Sequence, residues 1–314
     1  MGNKIATREA YGKALVKLSN MNDKVVVLDA DLSKSTKTAE FKAVAPERFI
    51  NMGIAEANMM GVAAGLATCG KIPFASSFAM FAAGRAFEQI RNSICYPKLK
   101  VKVCATHAGL TVGEDGATHQ SVEDISLMRS IPNMVVKNPA DAVESEAAIL
   151  AVAEYEGPCY VRLGRLAVDT INNADDYKFE IGKGITLAEG NDVTIVATGM
   201  MVQLALEAKE QLSKEGINAR IINIHTIKPI DSDLLVKAAK ETGAIVTAEE
   251  HSIIGGLGSA VSEAVAEECP VPVIKVGIKD TFGESGKPND LLEKYGLTVE
   301  SIVSSVKRAI SLKK

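Results

Sequence analysis

Residues 101–120 have the sequence VKVCATHAGLTVGEDGATHQ, and this stretch indicates how the chain folds. Its first five residues form a short run with two β-branched valines and one lysine, and a glycine-rich turn follows, as is typical of a buried strand. The strand leads into a loop that carries His107 and His119, three glycines and two adjacent acids. Because α/β proteins build sites where strands end, we predict a functional site in this loop. The alternative is a polar connection whose glycines only make turns.

Short apolar runs alternate with helical patterns on both sides of this loop. Further strands are predicted near 25–28, 48–51, 72–75, 134–136 and 159–163, and helices near 5–19, 57–68, 83–94, 122–129 and 140–155. Such alternation is typical of a parallel sheet covered by helices on both faces. We therefore predict a doubly wound α/β domain over residues 1–168.

A second α/β domain is predicted over residues 192–314. The intervening stretch, 169–191, is rich in Asn, Asp and Gly and is interpreted as a linker. Beyond it, strands are predicted near 193–198, 219–224, 244–249 and 272–276, with helices near 201–214, 232–240, 257–267 and 299–311. The predicted fold class is therefore α/β, with two doubly wound domains.

The composition of the 314 residues excludes several classes of protein. The net charge is −4 and no Lys/Arg block is present, so the basic surface that a nucleic-acid partner requires is missing. None of the five cysteines forms a C-x-x-C pair, which indicates a reducing compartment. Neither a signal peptide nor an apolar run of about 18 residues is visible. We expect a cytoplasmic protein with no membrane partner and no metal site of its own.

Polar or aromatic residues follow five of the predicted strands of the first domain. Parallel strands end at one edge of their sheet, so we expect these side chains to converge there. The residues concerned are Asp29, Asp31, Ser35, Glu56, Ser77, Phe78, His107 and Arg165.

Glu56 is the sharpest single candidate. The twelve residues that follow it carry no charge, so the carboxyl group is predicted to be buried, and burial favours its protonated form. The alternative is a glutamate in the first turn of a helix that interacts with the helix dipole. Asp31 is equally compatible with a turn or a helix cap. From composition alone, Phe78 and Phe81 are better interpreted as core residues than as a stacking platform.

Four motifs together resemble the carboxyl-terminal half of transketolase. They are Asp29-Ala-Asp-Leu-Ser-Lys-Ser35, Gly53-Ile-Ala-Glu56, Ser77-Phe-Ala-Met-Phe81 and the loop 106–120 with its Gly-Glu-Asp-Gly-Ala-Thr-His-Gln end. The resemblance spans essentially the whole chain, as a pyrimidine-binding domain and a transketolase C-terminal domain. It implies a thiamine diphosphate enzyme that passes a two-carbon ketol unit from a ketose phosphate to an aldose phosphate.

The resemblance also implies roles for individual residues. Glu56 is similar to the glutamate that shares a proton with a ring nitrogen of the aminopyrimidine, and Asp31 to an acid that lines the cofactor pocket. Phe78 and Phe81 are similar to the aromatic clamp on the pyrimidine, which reverses the interpretation from composition. The residues similar to substrate-binding groups are His119 and Asp115 for sugar hydroxyls, and Arg8, Ser35, His107 and Arg165 for the phosphate. His119, near the reacting carbon, and His107 also count as candidate catalytic residues.

Two departures from the family pattern are visible. Gly84 stands where many full-length transketolases carry a further aromatic residue beside the pyrimidine. The chain also contains no Gly-Asp-Gly motif, which in full-length transketolases belongs to an amino-terminal domain that binds Mg²⁺ and the diphosphate. The resemblance therefore implies a separate N-terminal subunit that holds Mg²⁺ and shares thiamine diphosphate with this chain, in a heterotetramer.

Two other hypotheses stay open on the sequence. One is half of a 1-deoxyxylulose-5-phosphate synthase-like enzyme or the β subunit of a 2-oxo-acid dehydrogenase; the pair His107 and His119 argues against the dehydrogenase. The other is a non-catalytic scaffold subunit that retained the fold. A scaffold predicts loss of residues such as Glu56 and His119, whereas both are present.

Overall fold

The computed structural model describes residues 4–313, which form two α/β domains. In the first domain the strands are β1 (Lys4–Ala6), β2 (Val25–Asp29), β3 (Phe49–Asn51), β4 (Ile72–Phe78), β5 (Lys102–Thr106), β6 (Val135–Lys137), β7 (Cys159–Arg162) and β8 (Ala167–Asp169). Its helices are α1 (Thr7–Met21), α2 (Ser33–Thr36), α3 (Thr38–Val44), α4 (Glu56–Thr68), α5 (Phe87–Gln89), α6 (Asp124–Ser130) and α7 (Ala142–Glu154).

The second domain follows β8. Its strands are β9 (Ile185–Ala188), β10 (Val193–Ala197), β11 (Ala219–Asn223), β12 (Thr226–Lys228), β13 (Ile245–Ser252) and β14 (Val273–Ile278). Its helices are α8 (Met201–Lys214), α9 (Ser232–Thr242), α10 (Leu257–Ala266), α11 (Pro288–Lys294) and α12 (Val299–Ser311).

A seven-stranded sheet organises the first domain in the order β12-β6-β7-β5-β4-β2-β3. All neighbours from β6 to β3 are parallel. Alternate residues of β2 enter different cores: Val25 and Val27 pack in the core that includes α1 and α7, whereas Val26 and Leu28 pack in the core that includes α4 and α6. Helices therefore cover both faces, and the prediction of a doubly wound domain is confirmed.

The second domain is built on a five-stranded sheet in the order β14-β13-β10-β11-β9. Its strands are parallel except β9, which pairs antiparallel with β11 at one edge. Strand β9 lies inside the stretch 169–191 that we predicted as a linker. Its four residues are all half-buried, whereas the five residues of the central strand β10 are all buried, so β9 is a short edge strand that is easily taken for part of a linker.

The two domains share a sheet and a core. Strand β12, from the second domain, pairs antiparallel with β6 and forms an edge of the seven-stranded sheet. The core around α4 and α6 continues into the second domain through residues of β10, β11 and α10. This continuity fixes the second domain against the first.

The stretch 80–95 differs from the single amphipathic helix predicted over 83–94. Two π-helical segments, Met80–Arg85 and Ile90–Cys95, flank the short helix α5. Wide π turns are not encoded in the apolar periodicity and are frequent at functional sites. Here the first of them carries Phe81 and Arg85.

Glu144 joins three parts of the chain at the domain junction. Its backbone N–H donates to the Asp141 side chain at the start of α7, and its carboxylate accepts from the backbone N–H of Ala140 at 2.6 Å. Tyr177 and Asn223 donate to the same carboxylate from the linker and from β11. Burial raises the pKa of Glu144 to about 7, although these hydrogen bonds act in the opposite direction.

We expect Glu144→Gln to change how stability depends on pH. The folded-state pKa of about 7 lies above the reference value of 4.5. Stabilisation from this group is therefore full below pH 4.5 and is lost as the pH rises through 7. The variant lacks this titration, so relative to wild type it should gain about 3 kcal/mol as the pH rises from about 4 to 8. Urea unfolding measures the difference. Glu154→Gln, an exposed position on the same helix, should follow wild type; an E144Q curve parallel to wild type would contradict the expectation.

Candidate active site

Five neighbouring strands end at one edge of the seven-stranded sheet, as predicted. Their order there is β7-β5-β4-β2-β3. The loops that follow these strands carry the candidate residues, so the predicted convergence of polar side chains at this edge is confirmed. The strands end at Arg162, Thr106, Phe78, Asp29 and Asn51.

A pocket of about 350 Å³ opens beside this edge. It brings together four predicted residues from four separate segments. Its lining consists of Ala30, Asp31, Leu32, Ile54, Glu56, Phe81, Arg85, Thr118 and His119. A carboxyl group, an aromatic face and an imidazole therefore face one space.

Glu56 is buried, as predicted, with 3% exposure, and it is the first residue of α4. Its Oε1 accepts a hydrogen bond of 3.2 Å from Ser77 Oγ, and its Oε2 accepts one of 3.5 Å from Arg85 Nη1. The Arg85 side chain is 55% exposed, so solvent screens this ion pair. The carboxyl group also lies in the first turn of the helix, where the dipole favours negative charge. Both interpretations of Glu56 given above are therefore compatible with its position.

Phe78 and Phe81 have different environments. Phe78 is buried and stacks on His107, with ring centroids 3.8 Å apart. Phe81 lines the pocket, lies 6.0 Å from Phe78 and meets His119 edge-on at 5.2 Å. The guanidinium of Arg85 covers the ring of Phe81 at 4.3 Å. Phe81 thus offers a face within the pocket, whereas Phe78 supports His107.

Arg85 is a pocket residue that the sequence analysis missed. It contacts both Glu56 and Phe81. Its position four residues after Phe81 could have indicated this role, because that spacing brings the Phe81 and Arg85 side chains together on neighbouring helical turns. Gly84 beside it is exposed, and a Cβ there would meet only the flexible end of Met80, at 2.8 Å.

His107 is held as a neutral imidazole. Burial, followed by the charges of Arg8 and Arg165, lowers the pKa of His107 to about 3. A guanidinium can only donate, so Arg8 Nη1 donates to Nε2 of His107 at 3.2 Å. Nδ1 then carries the proton and donates to Thr106 Oγ1 at 2.9 Å. The residue also adopts a φ of +54°, a conformation uncommon outside glycine.

The predicted phosphate anchors lie together on the side of His107. Arg8 Nη1 donates to the backbone carbonyl of Ser35 at 2.9 Å as well as to His107. Burial lowers the pKa of Arg8, and the charge of Arg165 acts in the same direction. The Nε of Arg8 is buried without a hydrogen-bond partner within residues 4–313. Two guanidinium groups and an unmet donor therefore meet in this corner, where Glu114 and Asp115 pair with Arg165.

Asp115 and Asp31 are held by neighbouring side chains. Asp115 pairs with Arg165 at 3.9 Å, and Glu114 does so at 3.7 Å, while Arg165 also donates to the carbonyl of Val112. The structure thus joins Asp115 to a predicted anchor, and it is not part of the pocket lining that contains His119. Asp31 adopts a φ of +65° and accepts from Asn51 Nδ2 at 2.8 Å.

Within the described part of the chain, no three His, Cys, Asp or Glu side chains are grouped so that they could hold a metal ion. None of the helices in residues 4–313 has the length and apolar character needed to cross a membrane.

Comparisons with known proteins agree with this fold and pocket. The model of the transketolase pyrimidine binding domain matches residues 3–170, and that of the transketolase C-terminal domain matches residues 182–302. The chain is thus a pyrimidine-binding α/β domain followed by a transketolase C-terminal domain. It belongs to the transketolase family.

Three relatives illustrate the match. A Methanocaldococcus jannaschii protein with the provisional name transketolase C-terminal section is 54% identical over 95% of this chain and 94% of its own length. The 6-deoxy-6-sulfo-D-fructose transketolase subunit of Clostridium sp. (strain MSTE9) is 46% identical over 94% and 92%. A solved structure described as a split gene transketolase, inactive beta4 tetramer, is 62% identical, with a TM-score of 0.93 over 99% of this chain and 100% of that one.

Proposed function

We propose that this chain is the C-terminal subunit of a two-chain transketolase that transfers a two-carbon ketol unit from a ketose phosphate to an aldose phosphate. The observation that carries the proposal is the grouping of buried Glu56, the Phe81 face and His119 in one open pocket. The anchors Arg8 and Arg165 lie on the side of His107. A proton-holding group and an anion-binding corner are what ketol transfer between sugar phosphates requires.

The pocket residues fit the aminopyrimidine of thiamine diphosphate. Phe81 offers an aromatic face, and Glu56 presents a buried carboxyl group to hold or release a proton at a ring nitrogen. Bound thiamine diphosphate supplies the electron sink for cleavage and formation of the carbon–carbon bond. Arg85 lies over Phe81 and must yield or share that face with the ring. Asp31, at the pocket wall, completes the proposed cofactor contacts, with Phe78 behind them.

The substrate side of the proposal uses the loop residues. His119 is half-buried at the pocket, where it can donate to a sugar hydroxyl near the reacting carbon, and Asp115 beside Arg165 can accept from another. Neutral His107 keeps its Nε2 toward Arg8. The unmet Nε donor of Arg8 suits the oxygen of a terminal anionic group, with Arg165 and Ser35 nearby.

We propose that a separate N-terminal subunit supplies the site for Mg²⁺ and the diphosphate. Mg²⁺ is bound through carboxylates and phosphate oxygens, and the sequence contains no Gly-Asp-Gly motif. The related split gene transketolase is described as inactive as a β4 tetramer, which supports a need for the second chain. Two copies of each chain would form the proposed heterotetramer.

Reconstitution tests the proposal. The chain is mixed with a Gly-Asp-Gly-containing N-terminal transketolase subunit, thiamine diphosphate and Mg²⁺, and is then supplied with xylulose 5-phosphate and ribose 5-phosphate. We expect sedoheptulose 7-phosphate from the mixture and none from either chain alone. A product formed from pyruvate and glyceraldehyde 3-phosphate instead would favour the 1-deoxyxylulose-5-phosphate synthase reaction. If only a sulfo-sugar serves as donor, this chain shares the substrate preference that is named for its relative from Clostridium.

Arg8→Gln is expected to weaken binding of phosphorylated donors selectively. A charge-assisted hydrogen bond contributes about 1.5–3 kcal/mol, so KM for xylulose 5-phosphate should rise about 10- to 100-fold. KM for a short donor without phosphate, such as hydroxypyruvate, should change little. Exposed Arg91 provides the control in R91Q. Equal changes for both donors would contradict a role in binding phosphate.

A further inference from the structure

The loop 107–120 makes many of its contacts with the second domain. Gln120 Nε2 donates to the carbonyl of Glu284 at 2.9 Å and, within the loop, to the carbonyl of Gly113 at 3.1 Å. Ser285 Oγ donates to the carbonyl of Glu114 at 2.7 Å. The segment between β14 and α11 therefore lies against the loop that carries His119.

Glu250 contacts the beginning of the same loop. It belongs to β13, is 4% exposed, and its Oε1 accepts from the backbone N–H of Thr111 at 2.7 Å. Gly109, with a φ of +82°, lies so close that a Cβ there would stand 2.3 Å from the Glu250 carboxyl. The carboxyl group is thus packed directly on the backbone turn that follows His107.

Strand β13 also holds the far end of the loop. The Ser252 N–H donates to the carbonyl of Val122 at 2.7 Å, and Gly109 N–H donates to the carbonyl of Ser121 at 2.8 Å. Arg162 joins both sides by donating to the carbonyls of Ser121 and Glu250. The two ends of the loop are therefore tied together and to one strand of the second domain.

We infer that the second domain serves as the template for the substrate loop, and that Glu250 is its principal positioning residue. Its carboxyl group fixes the turn at Gly109 and Thr111 and thereby sets where His107 and His119 stand at the pocket. Side chains that act on a substrate need placement within a fraction of an ångström, which a glycine-rich loop does not provide by itself. The catalytic part of this inference rests on the proposed function, whereas the ordering of the loop does not.

Hydrogen–deuterium exchange on the isolated chain tests the ordering of the loop. In Glu250→Ala, exchange in peptides covering 107–121 should be at least about tenfold faster, because the Thr111 amide loses its acceptor. Glu249→Ala is the matched control: Glu249 is equally buried on β13, but it accepts from Leu257 and Gly258 at the start of α10. That variant should accelerate exchange near 255–260 and leave 107–121 unchanged.

Glu250→Asp is the second variant, because it keeps the charge but draws the carboxyl group back by one methylene. We expect the same faster exchange in 107–121, so this variant can replace Glu250→Ala if the alanine variant does not fold. Exchange equal to wild type in 107–121 in the folded Glu250 variants would overturn the inference. So would equal acceleration there in Glu249→Ala, which would indicate general loosening of the domain junction.

Kinetics of the reconstituted two-chain enzyme test the consequence for the site. We expect kcat in Glu250→Asp to fall about 10- to 100-fold, with unchanged affinity for thiamine diphosphate. A loss of cofactor affinity with unchanged kcat would contradict a positioning role. If the wild-type complex transfers no ketol unit, the proposed function fails, and the exchange measurement still decides whether Glu250 orders the loop.

Discussion

Glu56→Gln should lower ketol transfer by the reconstituted enzyme by about 10²- to 10⁴-fold, the range that a positioned acid–base group contributes. The carboxyl group is buried at the start of α4 and receives hydrogen bonds from Ser77 and Arg85. Glutamine has nearly the same shape: its Oε1 can accept from Arg85, and its amide N–H can donate to the Ser77 hydroxyl, which is able to accept as well as donate. It cannot exchange a proton with a ring nitrogen, so the loss isolates that step from packing.

The measurement is the rate of sedoheptulose 7-phosphate formation at saturating thiamine diphosphate, with unfolding curves to show that the variant folds. Glu88→Gln is the matched control, since Glu88 is an exposed carboxylate on α5 that pairs with Gln89 and Asn92. It should retain wild-type activity. Unchanged activity in E56Q alongside an active wild-type complex would remove Glu56 from the mechanism. It would also favour the alternative hypothesis that this chain is a non-catalytic scaffold subunit.

The edge of the sheet was predictable because buried parallel strands leave a strong signal in sequence. The run 25–28 is apolar throughout and the run 101–105 is apolar except for Lys102, and the residue that follows each run stands at the strand end regardless of errors of one or two positions. Asp31, Glu56 and His107 could therefore be assigned to one edge before the structure was known. The burial of Glu56 followed from the uncharged helix behind it.

Contacts between distant segments were not predictable in the same way. Arg8 and His107 are 99 residues apart, and their contact depends on how α1 leaves β1 relative to the end of β5. The separate duties of Phe78 and Phe81 likewise follow from a π-helical turn that apolar periodicity does not encode. The resemblance to transketolase assigned both rings to one clamp, whereas the structure places His107 on the face of Phe78.

The strands β9 and β12 were missed for a related reason. Each is three or four residues long and lies at the edge of a sheet. Runs this short give a weak signal in sequence, and a strand that pairs on only one side needs no continuous apolar run. The pairing of β12 with β6 joins segments that are far apart in the sequence, so local patterns do not predict it. Because of this pairing, the two domains cannot be treated as independent units.

Asp124→Ala should destabilise the protein by about 3–5 kcal/mol, the range found when one partner of a buried ion pair is removed. Asp124 is fully buried, and its Oδ2 accepts from Arg162 Nε at 2.9 Å and from Tyr160 Oη at 2.7 Å. Burial acts to raise the pKa of Asp124, but its interactions with the Arg162 guanidinium, His251 and Tyr160 together outweigh burial, and the net shift is downward. The carboxylate is therefore ionised at neutral pH, and its removal leaves the Arg162 guanidinium buried without this counter-charge.

Denaturant unfolding of the variant measures this loss, and Glu146→Ala is the control. Glu146 pairs with Lys17 on the surface, where side chains are 31% and 55% exposed, so its removal should cost less than about 1 kcal/mol. Double-mutant cycles with Arg162→Ala and Lys17→Ala separate the pair energies from other effects of truncation. A coupling energy for Asp124 and Arg162 no larger than that of the surface pair would contradict the expectation. A large one would mean that the junction beneath the substrate loop is held by charge as well as by apolar packing, because Arg162 also binds the backbone carbonyls of Ser121 and Glu250.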